Sequence, residues 1–180
     1  MPLLWPLPLA EPGEVGLDPE VLARADATVQ ADIDADLVAG AITLVARQGR
    51  LVHCSCLGMA DREAGRAMHA DALFRIYSMT KIITSVAVLM LVEEGRLLLD
   101  QPVAQHLGDF AKLVVRTADG GTEALRRPVT VHDLLTHCSG IDYEVWSRTK
   151  GQGDLASFVT ELCRHPLRCQ PGTRRIYGAS

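Results

Sequence analysis

Residues 74–91 read FRIYSMTKIITSVAVLML, an apolar run headed by one hydroxyl and one ammonium, Ser78 and Lys81, three positions apart. Ile82, Ile83, Val86, Val88, Leu89, Met90, Leu91 and Val92 cover nearly the whole circumference of a helix, so the spacing predicts a central helix from about Ser78 to Glu94, packed on several sides and closed by Gly95. A lysine is rarely placed in such surroundings without a partner, and its presence on the first turn asks for a chemical reason. Residues three apart share a helix face, so Ser78 and Lys81 present their side chains to one spot. A serine hydroxyl becomes a nucleophile when a base removes its proton, and a lysine becomes that base when apolar neighbours, here Ile82 and Ile83, disfavour its charged form. The amides of the helix N-terminus add positive potential where negative charge would develop. Ser-x-x-Lys alone is a short pattern that an ordinary exposed helix start also carries, so the rest of the chain has to decide.

The 180 residues are 48% hydrophobic and 22% charged, the balance of a globular chain with a core. A formal charge of −4 without a basic stripe favours neither nucleic acid nor an anionic membrane surface as partner. The first residues, MPLLWPLPLAEPGEVG, are broken by Pro2, Pro6, Pro8 and Pro12 and lack a cationic head, which makes a poor secretory signal; the expected location is cytoplasmic. The longest apolar stretch, Ile82 to Val92, is too short to cross a bilayer. Five cysteines, an odd number, suit reduced thiols; Cys54-x-Cys56 on a strand puts two on one face, but no second pair completes a metal set and they read as small buried hydrophobes.

Three segments follow the N-terminal extension, residues 1–16. Between residues 17 and 76, Val21, Leu22, Ala25, Val29, Ile33 and Leu37 predict an amphipathic helix from Pro19 to Leu37, capped by Asp18 and ended by Gly40. AITLVAR and RLVHCSCLG flank Gln48-Gly49 as an antiparallel hairpin, and MADREAGRAMHAD reads as a polar connection. Residues 77–180 form a helical region: after the Ser78 helix, Thr130 and Asp133 mark the start of a short helix in VTVHDLLTHCSG, with Gly140 beyond its end. DLASFVTELCRHP predicts another, with Leu155, Phe158, Val159 and Leu162 inward and Pro166 as terminator. QPGTRRIYGAS then places a turn at Pro171-Gly172 before an extended piece holding Tyr177. His137 sits in the last turn of the short helix, where the helix dipole accounts for it better than a role as general base. Tyr143 and Trp146 are amphipathic aromatics suited to lining a substrate pocket, or to plain packing beneath a loop.

FRIYSMTKIITSVAVLMLVEEGRLLLDQPV (74–103), PVTVHDLLTHCSGI (128–141) and QPGTRRIYGAS (170–180), in that order and spacing, resemble the serine hydrolases built on the class C β-lactamase and penicillin-binding-protein fold, and within them the esterase branch. The resemblance implies an α/β fold of the α+β kind: an antiparallel sheet flanked by helices plus an all-helical region. This chain supplies the N-terminal part, and later strands complete the sheet and the second oxyanion donor. It implies Ser78 as nucleophile, with Lys81 and Tyr177 sharing the proton transfer. The family's Tyr-x-Asn element becomes Tyr177-Gly178-Ala179 here, and the missing asparagine shifts the expected substrate from a lactam to a carboxylic ester. The expected ligand is a small-molecule ester or amide, with no cofactor, no metal, no nucleic acid and no membrane. The expected partner is the C-terminal remainder of the same protein, possibly as a separate chain. β-Lactamase, D-amino peptidase, amidase and acyltransferase activities share the motif, and a non-catalytic penicillin-recognising protein is the alternative of a different class.

Overall fold

In the computed structural model, which describes residues 7–145 and 154–178, the Asp18 carboxylate accepts a hydrogen bond from the Glu20 amide at 2.8 Å and caps helix α1, Pro19–Asp34. The helix stops three residues short of the expected Leu37. Asp36 takes a left-handed φ of 64°, and its carboxylate is held by Arg62, whose guanidinium also donates to the Val38 carbonyl at 2.6 Å. Gly40 therefore opens strand β1, Gly40–Arg47, instead of closing the helix. Gln48 and Gly49 both have positive φ, 54° and 71°, as a two-residue turn matched to strand twist requires, and the chain returns as β2, Arg50–Asp61. The segment read as a polar connection contains a short third strand, β3, Arg66–Ala67, which pairs with the end of β2. Its pairing was hidden because two residues carry no periodicity. The sheet order is β1-β2-β3.

The chain divides into two units, residues 1–75 and 76–180. In the first, Asp26 of α1 accepts hydrogen bonds from the Thr43 hydroxyl at 2.9 Å and contacts His53 Nε2 at 3.1 Å, tying the helix to one face of the hairpin. Strand alternation puts Cys54 and Cys56 on the opposite face, with both thiols free.

The second unit begins with one 3-10 turn, Tyr77–Met79, that runs into α2, Thr80–Glu93, closed by Gly95 at φ 69°. The expectation that α2 is packed on several sides is not met: it has no buried residue, and Ile82 and Ile83 are 68% and 63% exposed. The core lies elsewhere, among Val103, Phe110, Leu113, Val115, Val129, Ile141, Leu162 and Leu167. Strands β4, Val114–Arg116, and β5, Thr122–Ala124, form an antiparallel pair beside which Leu167 runs parallel, its carbonyl accepting from the Arg116 amide at 2.9 Å. Helix α4, Leu155–Leu162, is capped by Asp154. Leu162 is buried and Phe158 and Val159 pack against the core as expected, whereas Leu155, on the first turn, is 77% exposed.

Helix α3, Val131–Leu135, is held by the strongest polar cluster in this unit. Thr130 and Asp133 make a reciprocal cap, the Asp133 amide donating to the Thr130 hydroxyl oxygen at 3.3 Å and the Thr130 amide to the Asp133 carboxylate at 2.9 Å. Both Asp133 oxygens also accept from Arg127, at 2.6 and 2.8 Å, in the two-pronged geometry that suits a guanidinium. The carboxylate is 1% exposed; burial alone would raise its pKa, but Arg127 and Thr130 outweigh burial and hold it below the usual aspartate range. Gly172, at φ 77°, lies against the same guanidinium, where any Cβ would collide with it.

Two outcomes follow from this packing. A carboxyl whose folded-state pKa is depressed stabilises fully above its unfolded value of about 3.9, and that contribution is lost as the pH falls below it. Asp133→Asn should therefore cost about 3 kcal/mol, the low end for a broken buried pair because Arg127 is 43% exposed, and the gap to the parent should be constant from about pH 7 down to about pH 5 and narrow as the pH falls below about 3.9 in urea titrations. Leu167→Ala, at a 2% exposed site, should cost about 3 kcal/mol, while Ile83→Ala should change stability by no more than about 0.5 kcal/mol; equal losses would contradict the burial described for α2.

Candidate active site

Ser78 lies in the middle of the 3-10 turn ahead of α2 and is exposed. The residue before it, Tyr77, has a left-handed φ of 44°, uncommon for a side chain of this size, so the backbone is bent sharply into the turn that presents the hydroxyl. Neither Ile76 nor Met79 provides a side-chain cap, which leaves the first-turn amides free of a side-chain acceptor.

Lys81 sits half-buried on the first turn of α2, and its Nζ lies over the ring of Tyr177, 5.4 Å from the centroid. That is within the range in which an ammonium is drawn to the negative face of an aromatic ring. Cover over the lysine thus comes from Tyr177 and not from Ile82 and Ile83, which are mostly exposed. Two main-chain contacts hold the tyrosine segment: the Ile176 amide donates to the His137 carbonyl at 2.8 Å, and Gly178 rests so close to the Ile141 carbonyl that a Cβ would lie 3.0 Å from it. The Gly178 backbone also passes the Tyr143 amide, so Tyr143, 45% exposed, borders the same segment. Trp146 and Ala179 lie outside the described residues.

His137, assigned from sequence to the helix end alone, is a site residue. It follows α3 with a left-handed φ of 59°, and its ring meets that of Tyr177 with centroids 4.7 Å apart and planes tilted by 45°. Burial, reinforced by the positive charges of Arg175 and Lys81, holds its imidazole below the usual histidine range, so the ring is neutral at pH 7. The sequence signal for it was a residue type that tolerates positive φ placed directly after a helix, which is easily mistaken for a cap. Together Tyr77, Thr80, Lys81, Thr84, Ser85, Val88, Leu134, Leu135 and His137 line a cleft of about 370 Å³, apolar at its floor with a lysine and an imidazole at its side. No group of carboxylates, imidazoles and thiols suited to a metal occurs among the described residues.

Of the residues expected from the sequence, the structure brings Lys81 and Tyr177 together, one turn beyond the exposed Ser78. The sequence model of the Beta-lactamase family matches residues 25–180, and the chain belongs to that family. Esterase EstB of Burkholderia gladioli is 45% identical over 134 residues, covering 74% of this chain and 32% of its own length. Lovastatin esterase of Penicillium rubens is 32% identical over 170 residues, 85% of this chain and 43% of that protein. Among solved structures, EstCE1, a hydrolase with promiscuous acyltransferase activity, superposes with a TM-score of 0.74 at 26% identity over 89% of this chain and 44% of its own. The fold is thus the β-lactamase-like one expected from the sequence, and the chain spans less than half the length of these relatives. No described helix is long and apolar enough to cross a membrane.

Proposed function

We propose that this chain carries the nucleophilic half of a cytoplasmic serine hydrolase that cleaves small carboxylic esters through an acyl-Ser78 intermediate. The observation that carries the reading is the Lys81 ammonium over the Tyr177 ring beside the turn that presents Ser78. In the forward half, the Ser78 Oγ attacks the ester carbonyl carbon while its proton passes to the Lys81–Tyr177 pair, which in its reactive state shares a single transferable proton between the amine and the phenol oxygen and so has one basic position open. The tetrahedral intermediate collapses, the C–O bond to the alcohol breaks, and the pair returns the proton to the departing alkoxide. Water then adds to the acyl-serine by the same proton path in reverse, releasing the acid and restoring Ser78. The uncapped amides of the helix start supply one side of the oxyanion site. Tyr143, which borders the tyrosine segment, lies against the acyl or alcohol moiety. Among the relatives, two are named esterases, which favours an ester over a lactam.

Acyl transfer to an alcohol in place of water is the second reading, favoured by the likeness to a hydrolase described with acyltransferase activity. The remainder of the fold, present in the longer relatives and possibly supplied as a separate chain, is the proposed cover for the apolar side of α2.

Incubation of the full-length protein with a fluorophosphonate should give one covalent adduct on Ser78, seen by intact mass and peptide mapping. Ser78→Ala should abolish it, and Lys81→Ala or Tyr177→Phe should slow it by a factor of about 10² to 10⁴. On a panel of nitrophenyl esters beside a chromogenic cephalosporin, the esters should turn over; hydrolysis of the cephalosporin alone would overturn the assignment to ester cleavage.

A further inference from the structure

We propose that His137 is the positioning residue for Tyr177, holding the phenol over Lys81 through its carbonyl and its ring. The inference rests on the ester-hydrolase reading for its kinetic consequences and on geometry for itself. Two separate contacts run from one residue to the tyrosine segment. The His137 carbonyl accepts from the Ile176 amide at 2.8 Å, which fixes the chain one residue before the phenol, and the imidazole meets the phenol ring at 4.7 Å, which limits its rotation. Both contacts depend on the left-handed φ of 59°, a conformation that a side chain keeps only when its surroundings determine it. The opposite element contributes Lys81, whose Nζ is 5.4 Å from the same ring, so the phenol is located by α2 and by the residue after α3 together.

The charge state matters as much as the shape. Among the described residues, the charged and titratable groups that the structure places by the imidazole include Lys81 and Tyr77, which line the same cleft from α2 and the turn before it, and Arg175 and Tyr177 on the tyrosine segment. Lys81 and Arg175 are both cationic, and burial adds to their effect in keeping the ring neutral. A proton gained by His137 would place an imidazolium between two cations and against the aromatic ring. Repulsion would then separate the groups that the ring contact holds together, and Tyr177 would lose its place over Lys81.

The test separates ring contact from charge with two substitutions. Asparagine tolerates left-handed φ but lacks the ring, and phenylalanine keeps a ring but cannot titrate. In His137→Asn, kcat should fall by about 10² with KM within about threefold, the pattern of lost alignment without lost binding. In His137→Phe, which keeps a ring but carries the strain of a bulky side chain at positive φ, part of that loss should be recovered, and the acid limb of the kcat/KM profile should move to lower pH. A second readout needs no turnover: the titration of Tyr177, followed by ultraviolet difference absorption with Tyr177→Phe as blank, should shift in His137→Asn relative to the parent. Should both variants keep parental kcat and parental Tyr177 titration while unfolding at the parental temperature, the proposal is overturned. A parent that forms no Ser78 adduct refutes the hydrolase reading alone, since the Tyr177 titration still reports on His137.

Discussion

Asp133 is an anion almost wholly removed from water, and it stays charged because its two oxygens are divided between the Arg127 guanidinium and the amide and hydroxyl of Thr130. A buried ion pair of this kind adds little net stability over an apolar replacement, but breaking one side is costly, and that asymmetry makes it a device for fixing geometry. Its geometry is what the site uses. Thr130 and Asp133 set the start of α3, so the helix ends at Leu135 and the chain turns through Thr136 into the left-handed His137. Arg127 lies against Gly172, whose amide donates to the Cys138 carbonyl at 2.8 Å, so the turn before the tyrosine segment is pinned to the same place as the helix end. His137 and Tyr177, forty positions apart in sequence, meet because both leave from this one polar cluster.

The contribution of α2 is different in kind. It offers Ser78 and Lys81 from a helix whose apolar side chains are mostly solvated, so its position does not come from burial of that surface. Exposed apolar area of this extent, Ile82, Ile83, Val86, Leu89 and Met90 along one short helix, exceeds what a solvated helix ordinarily shows. Lys81 is the point at which α2 is tied to the tyrosine segment by chemistry, through the attraction between an ammonium and a ring face.

Local signals in the chain were legible where a residue type dictates a backbone state. Asp18 and the Thr130–Asp133 pair announced two helix starts, and Gln48-Gly49 announced the hairpin, because caps and positive-φ turns draw on few residue types. The order and spacing of the Ser-x-x-Lys and tyrosine segments carried the family resemblance, which the match to the Beta-lactamase family bears out. Burial was not. The apolar circumference of α2 promised a core helix, but hydrophobicity records what a helix can bury and not what stands beside it. Leu155 was misplaced for a related reason, since a first-turn residue lies beyond the edge of the core that Leu162 enters. His137 was overlooked because its part in the site is a tertiary one: nothing between residues 131 and 140 says that a tyrosine arrives from residue 177.

The same geometry gives one phenol two basic neighbours. A lysine beside a second amine or an imidazolium is repelled, whereas beside an aromatic ring it is attracted while remaining free to exchange a proton. The Tyr177 ring meets both Lys81 and His137, the imidazole plane tilted to it by 45°. Arg175, two residues before Tyr177, strengthens the preference of His137 for the neutral form. At 48% exposure Tyr177 still works partly in a high-dielectric setting, where charges interact weakly. On the proposed ester-hydrolase reading, an acyl group settling in the cleft would exclude water and lower that dielectric, and the interaction between Lys81 and the phenol would then strengthen as the ester carbonyl came within reach of Ser78.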